Sequence, residues 1–322
     1  MSNSNPQQEL DKTAKTKKGR LRRISFWTAV FILVVLAGLA VTRFHIPYRS
    51  LPTAASWQWD TRQTIDGSIG RPVIIGHRGS SRPGSNGELI GNTASSIAHS
   101  IASQVDWIEI DIRMSQDGEL VVFHDESVDL KTSGKGKVAD LTIEQLHAIE
   151  VYADPPESIL SLDEVFERFN SAGQNWIFDV KSREIRKGLA GWLTEKIRAE
   201  ELTKDSIIIF GTYEIAKEYQ DSGFEVVLMA TWSDTGNPVR ILLTPSRAIH
   251  RCKELGSKRL VIPVIFASPS FLRRARQANI EVWAYGSDAQ ADHAFLLNHG
   301  VRGLIVDATG EVVSRWKTSH TD

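Results

Sequence analysis

From residue 73 onward, short apolar runs rich in β-branched side chains alternate with stretches whose apolar positions recur at helical spacing. The runs fall at 73–75, 105–113, 120–123, 176–181, 206–210, 225–230, 259–266, 280–284 and 301–306. Helical stretches at 162–169, 185–199, 213–219, 245–255 and 269–277 lie between them. Apolar strands alternating with helices predict a parallel sheet covered by helices. Nine runs exceed an eight-stranded barrel by one. Runs 105–113 and 120–123 are joined by Met114-Ser115-Gln116-Asp117-Gly118-Glu119, and Asp-Gly between strands is a favoured two-residue hairpin turn. So short a connection forces an antiparallel return, because a parallel one needs about a dozen residues. The 120–123 run is therefore expected to be a hairpin arm at the barrel mouth. The expected fold is α/β, a (β/α)8 barrel with its active site at the C-terminal strand ends.

The N-terminal region has a different pattern. Residues 24–42 are uncharged and largely apolar, bounded by Arg23 and Arg43. At helical rise, this length nearly spans a hydrocarbon core of ~30 Å, and it exceeds the ~7–15 apolar residues of a cleaved signal peptide. One N-terminal transmembrane helix, retained as an anchor, is expected; the alternative is cleavage at the small residues Ala37, Gly38 and Ala40. Seven basic residues precede it, against Arg43 and Arg49 just after, which predicts a cytoplasmic N-terminus and an extracytoplasmic barrel. The chain then divides into a basic tail (1–23), the anchor (24–42), a stalk carrying Pro47, Pro52, Gly67, Gly70 and Pro72 (43–72), the barrel (73–310) and a C-terminal tail (311–322).

Composition narrows the function. The first 23 residues carry a net +5, so within a whole-chain charge of −1 the remaining 299 carry −6. An acidic body argues against a nucleic-acid partner. Cys252 is the only cysteine, so no intrachain disulfide forms. No Gly-x-Ser-x-Gly elbow, P-loop or zinc spacing occurs, and Gly79-Ser80-Ser81 reads as a flexible loop.

Polar residues at the ends of apolar strands are the ones that need explaining. The first strand ends Ile75-Gly76-His77-Arg78-Gly79, and the second contains Glu109-Ile110-Asp111. Alternation puts Glu109 and Asp111 on one face, with Ile108, Ile110 and Ile112 on the other, which belongs against the outer helices. Two inward carboxylates repel unless a cation lies between them. The run Trp176-Ile177-Phe178-Asp179-Val180-Lys181 repeats the pattern, and Asp179 can supply a third carboxylate. All-oxygen ligation suits Mg²⁺ or Ca²⁺. A two-residue turn at Asp117-Gly118 would place His124 directly opposite Asp111, where it could carry a proton, and would point Asp125 away. The other histidines (His45, His99, His147, His250, His293, His299, His320) read as surface groups.

His77-Arg78-Gly79, Glu109-Ile110-Asp111, Asp117-Gly118, His124-Asp125 and Asp179-Val180-Lys181 occur in that order. In this the chain resembles the glycerophosphodiester phosphodiesterase family, from about residue 73 to 307. The resemblance implies a divalent cation held by Glu109, Asp111 and Asp179, with His77 and His124 as acid and base in unassigned order. Arg78 and Lys181 are the candidates to meet the phosphate, and Trp283, which reads either as barrel core or as a ring that stacks on substrate, is a third substrate-binding candidate. The expected reaction is hydrolysis of a glycerophosphodiester to sn-glycerol 3-phosphate and an alcohol. Two variants stand beside it: a lysophospholipid substrate, which an anchor would favour, and attack by a substrate hydroxyl to give a cyclic product.

Two departures support a rival from another class, a catalytically weakened barrel that binds phosphodiesters or a partner. The family's third ligand is Glu where this chain has the shorter Asp179. Its Pro-Glu-Asn-Thr segment appears here as Ile90-Gly91-Asn92-Thr93 after a long loop, in which Glu88 could substitute. Head group, choice of metal and oligomeric state are left open by the sequence.

Overall fold

Alternation along each strand decides which side chains face inward and which face the helices. A computed structural model describes residues 71–318 apart from 82, 85–86, 171–172 and 231–246. Among the described residues eight strands run parallel: β1 (Val73–Gly76), β2 (Trp107–Met114), β3 (Trp176–Val180), β4 (Ile207–Gly211), β5 (Glu225–Met229), β6 (Arg259–Pro263), β7 (Glu281–Tyr285) and β8 (Gly303–Val306). The helices that follow them are α1 (Ala94–Ser103), α2 (Leu162–Phe169), α3 (Arg186–Arg198), α4 (Tyr213–Tyr219), α5 (247–254), α6 (Pro269–Gln277), α7 (Gln290–Asn298) and α8 (Thr309–Thr318). β1 pairs with β2 (Ile75↔Trp107) and with β8 (Ile75↔Ile305), so the eight parallel strands close into a barrel.

Burial follows the predicted parity. Ile75, Ile177, Ile208, Phe210, Val227, Val261, Trp283 and Ile305 form the interior cluster. On the outer face, Phe178 meets Phe166 of α2 and Trp192 of α3 edge-on, with ring centres 6.1 and 6.2 Å away. Ile108, Ile110 and Ile112 alternate with Glu109 and Asp111 and are fully buried.

The 120–123 run is the antiparallel arm Leu120–Val122, but its register differs from the expected one. Met114 pairs with Leu120 and Ile112 with Val122, and the Phe123 amide donates to the Asp111 carbonyl. The turn is therefore one residue longer than Asp-Gly alone. The Gly118 amide donates to the Ser115 carbonyl, Gly118 adopts φ 90°, and the Ser115 amide donates to the Glu119 carbonyl. A turn closed by a left-handed glycine is the usual three-residue hairpin. Asp111 thus opposes Phe123, not His124.

Beyond the arm, residues 124–161 form an insertion with its own core. Val121, Phe123, Val128, Val138, Leu146, Val151 and Ile159 pack together, and the strand Leu160–Ser161 pairs back onto the arm. Glu157 ties the insertion to the barrel by accepting bonds from the Ser95 amide and hydroxyl at the start of α1. Asp117 does the same from the hairpin tip, accepting from the Ile143 amide at 3.0 Å.

Three further expectations are corrected. The barrel does not end at 310, because α8 continues to Thr318 with Val312 and Val313 buried and Arg315 donating to the Asp288 carbonyl. His293 is a buried group bonded to the Ser287 carbonyl at 2.8 Å, not a surface one. Ser80 is buried and donates to the Asp307 carbonyl, so that part of the 79–81 loop is fixed. Residues 24–42, with the flanking tail and stalk up to residue 70, lie outside the described residues. No helix among the described ones is long and apolar enough to cross a membrane.

Trp283 fills the barrel interior. Its ring packs where a Cβ on Gly303 would come within 2.5 Å, and its indole N–H donates to Glu281 at 2.6 Å. The Arg259 guanidinium lies 5.1 Å from the ring centre. Glu281 and Arg259 open β7 and β6, at the barrel end away from the carboxylates. The reading of Trp283 as a ring that stacks on substrate is therefore corrected: it is core. Trp283→Ala is expected to cost about 3–5 kcal/mol in denaturant unfolding. Trp283→Phe should leave the KM for substrate within about twofold, whereas a stacking residue would raise it.

Candidate functional site

The site begins with neighbouring positions on adjacent strands. β2 and β3 pair Asp111 with Asp179 and Glu109 with Ile177. Glu109, Asp111 and Asp179 are all buried, and each offers an oxygen within 4.8 Å of the others. Such closeness is costly without compensation, and the surroundings supply it. The Lys181 ammonium lies 2.7 Å from Asp111 Oδ1 and also contacts Asp179. Arg78 Nε is 3.2 Å from Asp111 Oδ2, and the Arg78 amide donates to Glu109 Oε2 at 2.7 Å. Asn92 donates its side-chain amide to Asp111 Oδ2 at 2.6 Å and accepts from the Asp111 backbone amide at 3.1 Å.

Both histidines are held by carboxylates. His77, at the end of β1, has Nδ1 2.7 Å from Asp307 Oδ1 beyond β8. Asp307 is fixed in turn, since its amide and that of Ala308 donate to the Asp288 carboxylate. His124 has Nδ1 2.6 Å from Asp125 Oδ1, and its carbonyl accepts two bonds from the Arg113 guanidinium. Its register is not the expected one, yet the bend after the arm brings His124 close enough to Asp111 and Lys181 to feel their charge. Asp125 does not point away; it orients the ring.

The charges polarise one another. Burial pushes Glu109 up to about 7, with the Asp111 charge adding to the effect. Burial acts the same way on Asp111, but Lys181 and Arg78 outweigh it and hold this carboxyl well below its usual range. Asp179 stays raised, mainly by burial, with Lys181 opposing. Burial lowers His77, but the bond to Asp307 and the charge of Glu109 outweigh it, so the ring is raised overall. His124 is lowered, because burial exceeds what Asp111 and Asp125 restore.

The donor set suits a hard divalent cation. Among the described residues, Glu109 Oε1 is buried with no hydrogen-bond partner, and an unmatched acceptor beside two other carboxylates is the position of a metal ligand. Glu109, Asp111, Asp179, His77, His124, Arg78 and Lys181 gather at the mouth; Trp283 does not. The Glu88 side chain lies outside the described residues. At Gly91 a Cβ would stand 2.6 Å from Arg78 Cβ and 2.5 Å from Ser81 Oγ, so the path of Arg78 leaves no room for a side chain there.

Sequence reasoning assigned no site role to Asn92, Asp307, Arg113 or Asp125. Asn92 precedes Thr93, the capping residue of α1, and reads as helix punctuation. Asp307 carried a usable signal, a charged residue ending an apolar strand, as His77 does.

Comparison with known proteins identifies the family and the fold. The model of the glycerophosphoryl diester phosphodiesterase family matches residues 77–311. A glycerophosphodiester phosphodiesterase of Caldanaerobacter subterraneus subsp. tengcongensis is 36% identical over 104 residues, covering 30% of this chain and 40% of that protein. The human lysophospholipase D GDPD3 is 29% identical over 128 residues, 36% of this chain and 40% of its own length. These alignments thus span well under half of either relative. The structure of an Oleispira antarctica phosphodiesterase with the product sn-glycerol-3-phosphate superposes with a TM-score of 0.61 at 18% identity, covering 76% of this chain and 96% of that one. At that identity the likeness is one of fold.

Glu109 gives a test in the metal-free protein. Its folded pKa lies above the ordinary carboxylate value of 4.5, so its protonated form stabilises the fold at low pH, and that contribution is lost as pH rises through about 7. The melting temperature of metal-free wild type should therefore fall relative to Glu109→Gln between pH 5 and 8. A parallel pH dependence in the two proteins would remove Glu109 from the cluster.

Proposed function

Because the chain belongs to the glycerophosphoryl diester phosphodiesterase family, we propose that it is an enzyme hydrolysing glycerophosphodiesters to sn-glycerol 3-phosphate and an alcohol, with Mg²⁺ or Ca²⁺ as cofactor. One observation carries the reading. Three buried carboxylates converge on an unmatched Glu109 oxygen, between two histidines that are each held by a carboxylate of their own.

The cation, held by Glu109, Asp111 and Asp179, would neutralise charge on the phosphodiester. Arg78 and Lys181 add positive charge on the same side of the site. Pairing of Nδ1 with Asp307 or Asp125 leaves Nε2 as the ring nitrogen available to substrate. One ring would give a proton to the leaving oxygen and the other take one from the attacking water; with no metal bound His77 is raised and His124 lowered, which favours His77 as the acid and His124 as the base. The absence of the family's glutamate at position 91 fits this reading, since Arg78 fills that space while reaching Asp111.

The apolar stretch 24–42 and the basic residues before it support a single-pass anchor with the barrel outside the cytoplasmic membrane. There a lysophospholipid is a second candidate substrate, favoured by the similarity to human lysophospholipase D GDPD3.

Release of sn-glycerol 3-phosphate from glycerophosphocholine should be abolished by EDTA and restored by the cation. Asp111→Ala should lose turnover and cation-induced thermal stabilisation together; full turnover in that variant would end the reading. Loss of either histidine should reduce kcat on the natural diester by about 10²–10⁴. On a p-nitrophenyl phosphodiester, whose leaving group needs no proton, His77→Ala should recover most of its rate and His124→Ala should not; the reverse pattern would exchange the roles. Protease added outside sealed cells should digest the barrel and spare the 1–23 tail, and protection of the barrel would overturn the topology.

A further inference from the structure

The carboxylate cluster already contains a cation of its own. Lys181 lies two residues beyond Asp179 on the same face, and its Nζ bridges Asp179 Oδ2 and Asp111 Oδ1. The three side chains are 17%, 8% and 1% exposed, so solvent screens this contact weakly. Two of the three carboxylates needed by a metal are therefore matched to an ammonium, and the unmatched oxygen lies on the third, Glu109.

We propose that Lys181 is an internal counter-ion that a divalent cation must displace, and that displacement is what frees its ammonium to meet the phosphodiester. This rests on the metal-dependent reading above. With all three carboxylates ionised, as a cation would require them, Arg78 and Lys181 leave one negative charge uncompensated. A divalent cation and a singly charged phosphodiester bring the ensemble to neutrality without any group leaving the site, provided Lys181 changes partners. The Asp179 carboxylate lies within reach of the Lys181 ammonium at the end of the same strand. The cluster is thus held together without metal, at the expense of metal affinity, and substrate charge is gripped only after metal has entered.

The test is direct titration, with no substrate present. Full-length protein in detergent, stripped with EDTA and desalted, is titrated calorimetrically with MgCl₂ and separately with CaCl₂. Lys181→Met removes the competing charge and should bind the cation on the order of tenfold more tightly. It should also melt lower than wild type without metal and gain more on metal addition. Lys181→Arg, which keeps the charge, should stay within a few-fold of wild type; Lys181→Gln serves if the Met variant does not fold. Unchanged or weaker binding by the folded neutral variant would overturn the exchange while leaving metal dependence standing. Failure of wild type to bind either cation would overturn both.

Discussion

Bringing Glu109, Asp111 and Asp179 out of water within a few ångströms of one another is the constraint on which the mouth of this barrel depends. Like charges in a low-dielectric setting repel strongly unless each is matched. Much of the surrounding structure can be traced to that need. Lys181 and Arg78 bring positive charge, and the Arg78 and Asn92 amides bring donors. The loop after β1 turns through left-handed conformations at Arg78 and Gly79 to present the Arg78 amide. Asn92, also left-handed, is fixed by its own amide on the Arg78 carbonyl and sits immediately before the capping threonine of α1. Even the missing side chain at Gly91 belongs to this arrangement, since Arg78 passes through the space.

The histidines are organised by a second, looser principle: each ring is held by a carboxylate from a different part of the chain. Asp307 comes from the far end of the barrel sequence, brought beside His77 by closure of β8 onto β1. Asp125 is the immediate neighbour of His124. One pairing is thus a product of the global fold and the other of a local bend. That difference in origin accompanies their opposite proton affinities.

What the sequence made legible follows from what periodicity encodes. Alternation along β2 and β3 identified which carboxylates face inward, because a one-residue error would have buried isoleucine in the mouth and acid among the helices. The barrel was legible for the same reason, with nine runs and one connection too short to be parallel. The hairpin register was not, because Asp-Gly fits either a two- or a three-residue turn; the choice rested on Ser115 and Glu119 closing the loop, a backbone pairing with no signature in composition. Trp283 was left between core and substrate because alternation shows that a side chain points inward but not how deep along the axis it lies. Asn92 and Arg113 act through backbone groups of residues far from them in sequence, contacts that only the folded chain creates.

The insertion has its own core, and it joins the barrel through the hairpin, the Glu157 clasp on α1 and the Asp117 contact with Ile143. The three carboxylates and His77 are borne by strands and strand ends of the closed barrel, whereas His124 and Asp125 belong to the insertion's first bend. The two proposed proton carriers are therefore anchored in different parts of the fold, one at a barrel strand end and the other on a bend that belongs to the insertion. The spacing between the two rings is thus set jointly by closure of the barrel and by how the insertion is seated on it.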